Sequence, residues 1–173
     1  MPNFRNALLI YNPTSGRRRR TRLAEVENAR KLLAADGLSV ELAATSARDS
    51  ATQFAMQAAA EKRDLVIVCG GDGTINEVVN GLAGSSVAMG ILPAGTANIL
   101  AKELGVPWDI AAAARKIARS EARRIALGAV MNTGAGGTGD PQHGTADTAQ
   151  GARYFLCLGG AGADAAVVHA VRA

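Results

Sequence analysis

Residues 64–76 read DLVIVCGGDGTIN, an apolar run that stops abruptly at Gly70, Gly71, Asp72, Gly73 and Thr74. A buried strand accounts for residues 65–69, but a strand has no use for three glycines, an acid and a hydroxyl in immediate succession. The glycines point to a backbone that something else approaches closely. Lacking Cβ atoms, Gly70, Gly71 and Gly73 can take positive φ and aim amide N–H groups at an oxyanion, while Thr74 and the N-terminus of the following helix add donors. Phosphate is the natural ligand of such a turn. Asp72 would repel a phosphate in direct contact, so its chemical use is to hold a Mg2+ ion, through water, beside it. The competing explanation is a tight strand-to-helix turn in which the acid only caps the helix.

Two further segments have the same form. Residues 87–98, VAMGILPAGTAN, are an apolar run ending in Pro, Gly, Thr and Asn, ahead of an amphipathic stretch at 99–104. Near the start, ALLIY at 7–11 runs into NPTSG at 12–16. In an open parallel sheet, ligands sit in the crevice beyond the carboxyl ends of the strands, so turns of this kind can face one nucleotide.

The succession NPTSG, GGDGTINEVVNGL and GILPAGTAN resembles the catalytic domain of diacylglycerol kinases and their bacterial lipid-kinase relatives, sphingosine and ceramide kinases among them. FLCLGGAGADAAVV at 155–168 is similar, more thinly, to the strand, turn and helix with which that family's second domain begins. GGDG by itself is shared with NAD kinases and phosphofructokinases; the other two blocks favour the lipid kinases. The resemblance implies an α/β fold, an open parallel sheet flanked by helices of the Rossmann-like NAD kinase and diacylglycerol kinase type. A nucleotide-binding domain would span 1–121, and 122–173 would be the truncated start of a β-rich domain for the lipid.

ATP and Mg2+ are the cofactors the resemblance implies. Gly70, Gly71, Asp72, Gly73, Thr74, Ile75 and Asn76 would wrap the ATP phosphates, with Asp72 near the metal. Thr45, Thr96 and Asn98 would contact the nucleotide, and Asn12 and Ser15 would line the same cleft. The implied reaction is transfer of the γ-phosphoryl group to the hydroxyl of a lipid such as diacylglycerol. In the family the catalytic base comes from the part that would lie beyond Ala173, so no catalytic residue is assigned within this chain, which is expected to be a nucleotide-binding fragment, inactive alone. Another GGDGT kinase, acting on a nucleotide or sugar phosphate, and a non-catalytic nucleotide-binding module stay open as alternatives. One position departs from the family: some members carry an acid directly after the Gly-Thr-x-Asn turn, where this chain has Ile99.

The elements that must hold these turns alternate. Strands are expected at 7–11, 38–43, 65–69 and 87–92, and helices at 22–35, 51–62, 75–82 and near 109–119, the order that gives parallel strands with right-handed crossovers. In the first helix, Leu23, Val26, Arg30 and Leu33 form the expected stripe, and Gly37 ends it. Residues 123–131 read as the strand that leaves this domain. Residues 133–151, glycine-rich and without periodicity, read as a hairpin loop containing a solvent-exposed His143. Gly160, Gly162 and Ala165 match G-x-G-x-x-A only weakly as a second dinucleotide site. Trp108 reads as a packing residue at a helix start. Glu77 and Asn80 follow the phosphate turn, either orienting Thr74 or the metal waters or facing solvent.

Of the 173 residues, 48% are hydrophobic and 20% charged, a balance suited to one soluble domain with a respectable core. No apolar run reaches the roughly 18 residues of a spanning helix and MPNFRN is not a signal peptide, so the cytoplasm is the expected compartment. Cys69 and Cys157 sit in apolar runs and read as buried, reduced thiols. Residues 1–31 hold eight Lys or Arg against Glu25 and Glu27, a balance of +6; the remainder holds 11 against 13, a balance of −2. Arg17, Arg18, Arg19 and Arg20 could thus meet ATP phosphates or the anionic inner face of a membrane, each worth on the order of 1 kcal/mol there, or form a solvated loop. No aromatic residues interleave with them, which argues against nucleic acid. Apolar strands of an incomplete second domain lead us to expect self-association, a homodimer being one form.

Overall fold

Residues 65–69 contain no polar side chain to turn toward water, so the strand they form needs cover on both faces. The computed structural model, which describes residues 4–131 and 152–156, supplies it. Strands β1 (Asn6–Tyr11), β2 (Ser39–Ala44), β3 (Leu65–Gly70) and β4 (Ala88–Pro93) form a sheet of order β2-β1-β3-β4 in which every pairing is parallel. All six residues of β3 are buried.

Successive residues of a strand face opposite sides, and the helices divide accordingly. Leu9, Ile67 and Leu92 pack with Val26, Ala29 and Leu33 of α1 (Arg22–Ala35) and Ala113 and Ala114 of α5 (Ile110–Ala118). On the other face, Ile10, Val66 and Val68 pack with Ala51, Ala55 and Ala58 of α2 (Ser50–Ala60) and Val78 and Leu82 of α3 (Asp72–Leu82). Small residues let α2 and α3 approach closely: a Cβ on Gly81 would lie 2.5 Å from the Thr52 carbonyl oxygen and 2.6 Å from the Ala55 Cβ. A short 3-10 turn (Arg19–Thr21) leads into α1, and α4 (Ile99–Glu103) follows β4. Two further strands, β5 (Gly128–Met131) and β6 (Ala152–Phe155), pair antiparallel as a separate sheet.

The expected α/β architecture is therefore present, with corrections. The buried stripe of α1 is Arg22, Val26, Ala29 and Leu33; Leu23 is 55% exposed, and Arg30 faces solvent. Helix α3 begins at Asp72, three residues earlier than the sequence suggests, so the acid, Gly73 and Thr74 form its first turn. None of Gly70, Gly71 and Gly73 takes positive φ; among the described glycines that conformation belongs to Gly16, Gly37, Gly84 and Gly105. The strand expected from 123 shortens to β5, residues 121–127 having no regular structure. The loop at 133–151 with His143, Cys157 and the Gly160, Gly162, Ala165 motif lie outside the described residues. So does Ala173, the position past which the resemblance puts the catalytic base, and the structure therefore has no bearing on that expectation.

Candidate functional site

Parallel strands bring all four carboxyl ends to one edge of the sheet. The ladder runs one residue past β2, β1 and β4: Thr45 N–H donates to the Tyr11 carbonyl (2.9 Å), Asn12 N–H to Cys69 (3.0 Å) and Ala94 N–H to Gly70 (3.0 Å). Thr45, Asn12, Gly71 and Gly95 thus leave the sheet in strand order. The outer two turns stand three strand spacings apart, about 14 Å.

Three contacts fasten the turns to one another. Asn12 Nδ2 donates to Thr74 Oγ1 (3.3 Å), while its Oδ1 accepts from the Thr14 N–H (2.9 Å) and hydroxyl (2.8 Å). A Cβ on Gly16, at φ +65°, would lie 2.3 Å from the Ala94 carbonyl oxygen. A Cβ on Gly95 would lie 2.4 Å from Gly71 Cα, and one on Gly71 would lie 3.2 Å from Gly95 Cα. The closely approaching partner of the GGDGT glycines is therefore, in part, this protein's own backbone. Gly70 likewise makes room for Thr74, whose Cβ is 2.7 Å from where its own would be.

Asp72 adds a fourth link, its Oδ1 accepting the N–H of Ile99 at 2.8 Å. A carboxylate has about four acceptor positions, so one such bond leaves most of them for waters of a metal ion. Among the described residues no three His, Cys, Asp or Glu gather as a metal cluster. A single half-buried carboxylate still suits Mg2+, which keeps several waters and takes its other ligands from phosphate oxygens. The first intrahelical bond of α3 is from Ile75 N–H to the Gly71 carbonyl (3.0 Å), so the N–H groups of Asp72, Gly73 and Thr74 are the donors this helix offers an anion.

The remaining sequence candidates take different places. Ile75 is core, 2% exposed, and Asn76 and Ser15 are half-buried. Thr96 is exposed beside a cleft of about 680 Å3 lined also by Arg17, Arg18, Arg22, Gly95 and Trp108. Asn98 is 1% exposed at φ 47°, and its side-chain amide closes the turn on Gly95, accepting from its N–H (2.9 Å) and donating to its carbonyl (3.0 Å). Trp108 is 55% exposed, under the Lys102 ammonium at 5.5 Å, rather than packed into the core. Glu77 faces α2: it accepts the Ala51 N–H at the start of that helix (3.3 Å), and its partial burial raises its pKa. Cys69 is a buried thiol as expected, pushed up to about 12 by that burial despite the opposing Arg22 guanidinium.

Arg22 is the residue that sequence reasoning missed. It is 3% exposed, pairs with Glu25 through Nη1 (2.8 Å), and through Nη2 donates to the carbonyls of Ser15 (3.3 Å) and Ala94 (3.2 Å); its Nε has no hydrogen-bond partner. One guanidinium therefore holds the NPTSG turn to the PAGT turn. Its position four residues before Val26 on the buried stripe was the available signal, obscured by the arginine run just before it.

Comparison with known proteins places the chain beside relatives of one family. The profile described as diacylglycerol kinase catalytic domain matches residues 6–130. A diacylglycerol kinase of Bacillus subtilis (strain 168) is 44% identical over 131 residues, covering 73% of this chain and 42% of that protein. One from Staphylococcus aureus (strain bovine RF122 / ET3-1) is 36% identical over 130 residues, covering 74% and 41%. The crystal structure of a diacylglycerol kinase from Bacillus anthracis str. Sterne superposes with a TM-score of 0.62 at 36% identity, covering 69% of this chain and 40% of that one. The chain thus spans about two fifths of the length of the curated relatives it matches.

Proposed function

Since the chain belongs to the diacylglycerol kinase catalytic domain family, we propose that it is the nucleotide-binding part of a lipid kinase, which transfers the γ-phosphoryl group of ATP to the hydroxyl of a lipid such as diacylglycerol. The observation that carries this reading is the joining of three turns at one sheet edge: Asn12 to Thr74, Gly71 against Gly95, and Asp72 to Ile99. Phosphoryl transfer asks a protein chiefly to position two oxygens and offset negative charge. The N–H groups at the start of α3 bind and orient phosphate, and Thr96 and Thr45 stand on either flank for the rest of the nucleotide.

Mg2+, when bound, offsets charge on the phosphate oxygens, and Asp72 is the residue that would hold its water shell. Ile99 brings no second acid, so Asp72 holds that shell without one at the adjoining position. The boundary between nucleotide and lipid domains falls near residue 121, with β5 and β6 opening the second. The base that takes the lipid hydroxyl proton is assigned to no residue up to Ala173. Arg17, Arg18 and Arg20 are exposed and would serve a peripheral contact with an anionic membrane surface; among the described residues no helix is long and apolar enough to cross a membrane.

Calorimetric titration with ATP, with and without Mg2+, tests the reading. Saturable binding strengthened by Mg2+ and competed by ADP is expected; no binding at millimolar ATP by a folded sample would overturn it. Radiolabelled ATP presented with diacylglycerol vesicles, NAD or sugar phosphates to a protein of the relatives' length identifies the acceptor.

A further inference from the structure

Asn80 lies two turns beyond the phosphate turn and is 8% exposed. Its side chain bonds to main-chain groups of Asn76 and Tyr154 rather than to Thr74. Oδ1 accepts the N–H of Tyr154 (2.9 Å), and Nδ2 donates to the Tyr154 carbonyl (2.8 Å) and to the Asn76 carbonyl one turn back (2.9 Å). Both main-chain groups of a strand residue point to the same edge, so α3 treats β6 as a neighbouring strand would, with a side-chain amide in place of a peptide. Just past β6, Leu156 packs against the apolar cluster that holds Val78 and Leu82. Apolar burial is non-directional, whereas a paired donor and acceptor fix register and tilt.

We propose that Asn80 is the positioning residue that seats the β5–β6 sheet on α3, at a set distance from the turn where the same helix begins. Eight residues of rigid helix separate Asp72 from Asn80, about 12 Å along the axis. The functional meaning rests on the kinase reading: whatever β5 and β6 carry is thereby aligned with the phosphate held at the start of α3. Asparagine is suited because its amide donates and accepts at once, which a carboxylate or an aliphatic group of similar size does not.

Hydrogen exchange of the Tyr154 amide, corrected for intrinsic rates, in wild type, Asn80→Asp and Asn80→Leu tests this in the 173-residue chain. At pH 7 Asn80→Leu, which removes the acceptor and the donor, is expected to exchange at least tenfold faster at Tyr154, and Asn80→Asp, which keeps the acceptor but sets a carboxylate against the Tyr154 and Asn76 carbonyls, faster by a smaller factor, with the amides of β3 protected as in wild type. A protonated carboxyl both accepts and donates, so Asn80→Asp is expected to regain protection as pH falls toward 4.5, and Asn80→Leu is not; simple loss of packing would show no such pH dependence. Wild-type protection in both variants, or pH-independent loss in Asn80→Asp, overturns the proposal. Mg-ATP affinity within twofold of wild type is expected in both variants. Absence of ATP binding in wild type would instead sink the kinase reading, while the exchange data still decide whether Asn80 seats β6.

Discussion

Asp72 Oδ1 accepts the backbone N–H of Ile99 at 2.8 Å, so one carboxylate stands in the first turn of α3 and caps the first residue of α4. The same acid is the one proposed to hold the metal waters, and the two roles separate by chemistry: capping needs an acceptor oxygen, metal binding needs charge.

Asp72→Asn keeps the acceptor and is expected to change unfolding free energy by less than about 1 kcal/mol in urea titrations. Calorimetry on the same variant should show ATP affinity no longer increased by Mg2+. Undiminished Mg2+ dependence would leave Asp72 as a helix cap alone.

The contact of Gly71 with Gly95 leaves no room for a methyl group at Gly95, where the added carbon would also lie 2.9 Å from Asn98 Oδ1. Gly95→Ala, and Gly71→Val more severely, should force the two turns apart. Loss of at least tenfold in ATP affinity, with circular dichroism unchanged, is the expected result; full affinity in Gly71→Val would remove this turn from the site.

Arg22 and Glu25 form an ion pair whose arginine is buried, and removing one partner of such a pair characteristically costs about 3–5 kcal/mol. With Glu25 half-buried, the lower part of that range is expected for Arg22→Met by urea unfolding. Arg22→Lys should keep part of the charge pairing but loosen the carbonyl clamp, since an ammonium lacks the planar fork. Proteolytic nicking in the NPTSG turn, slow in wild type and faster in Arg22→Lys, reports that clamp.

Two carboxylates give opposite pH signatures. Asp64 accepts the N–H groups of Arg5 (2.8 Å) and Asn6 (2.9 Å), which lower its pKa below 3.8, so its contribution is present above that value and disappears as pH falls through the folded pKa. Burial raises Glu77 above 4.5, so its contribution is complete below 4.5 and is lost as pH rises through its folded value. In urea unfolding across pH, Asp64→Asn should flatten the acid limb and Glu77→Gln the limb above 4.5. A Glu77→Gln variant with the wild-type slope there would contradict this account.

Much of this was legible in the residues. Unbroken apolar runs ending in glycine and hydroxyl turns marked β1, β3 and β4, because a doubly covered strand admits no alternation and a close backbone approach admits no Cβ. Gly71 stands where the sequence places a close approach, yet its φ of −92° shows that space rather than positive φ is what it supplies. The roles of Arg22 and Asn80 were not legible, since both bond to main-chain groups 72 and 74 residues away, which no local pattern encodes. Strand β5 is shorter than its sequence suggests: residues 121–127 have no regular structure, and the pairing with β6 starts at Gly128, opposite Phe155.

Strands β1 and β2 pair within one βαβ unit and β3 and β4 within another, and the two units meet along the β1–β3 seam. Asn12 and Thr74 face each other across the end of that seam. A nucleotide gripped by turns from both units would stabilise the joined, folded state by an amount set by its concentration relative to Kd, about 2.7 kcal/mol at one hundred times Kd. The melting temperature of this protein should then climb with ATP concentration, and in nucleotide-rich surroundings its persistence against proteases would be set by occupancy of the crevice as well as by its core.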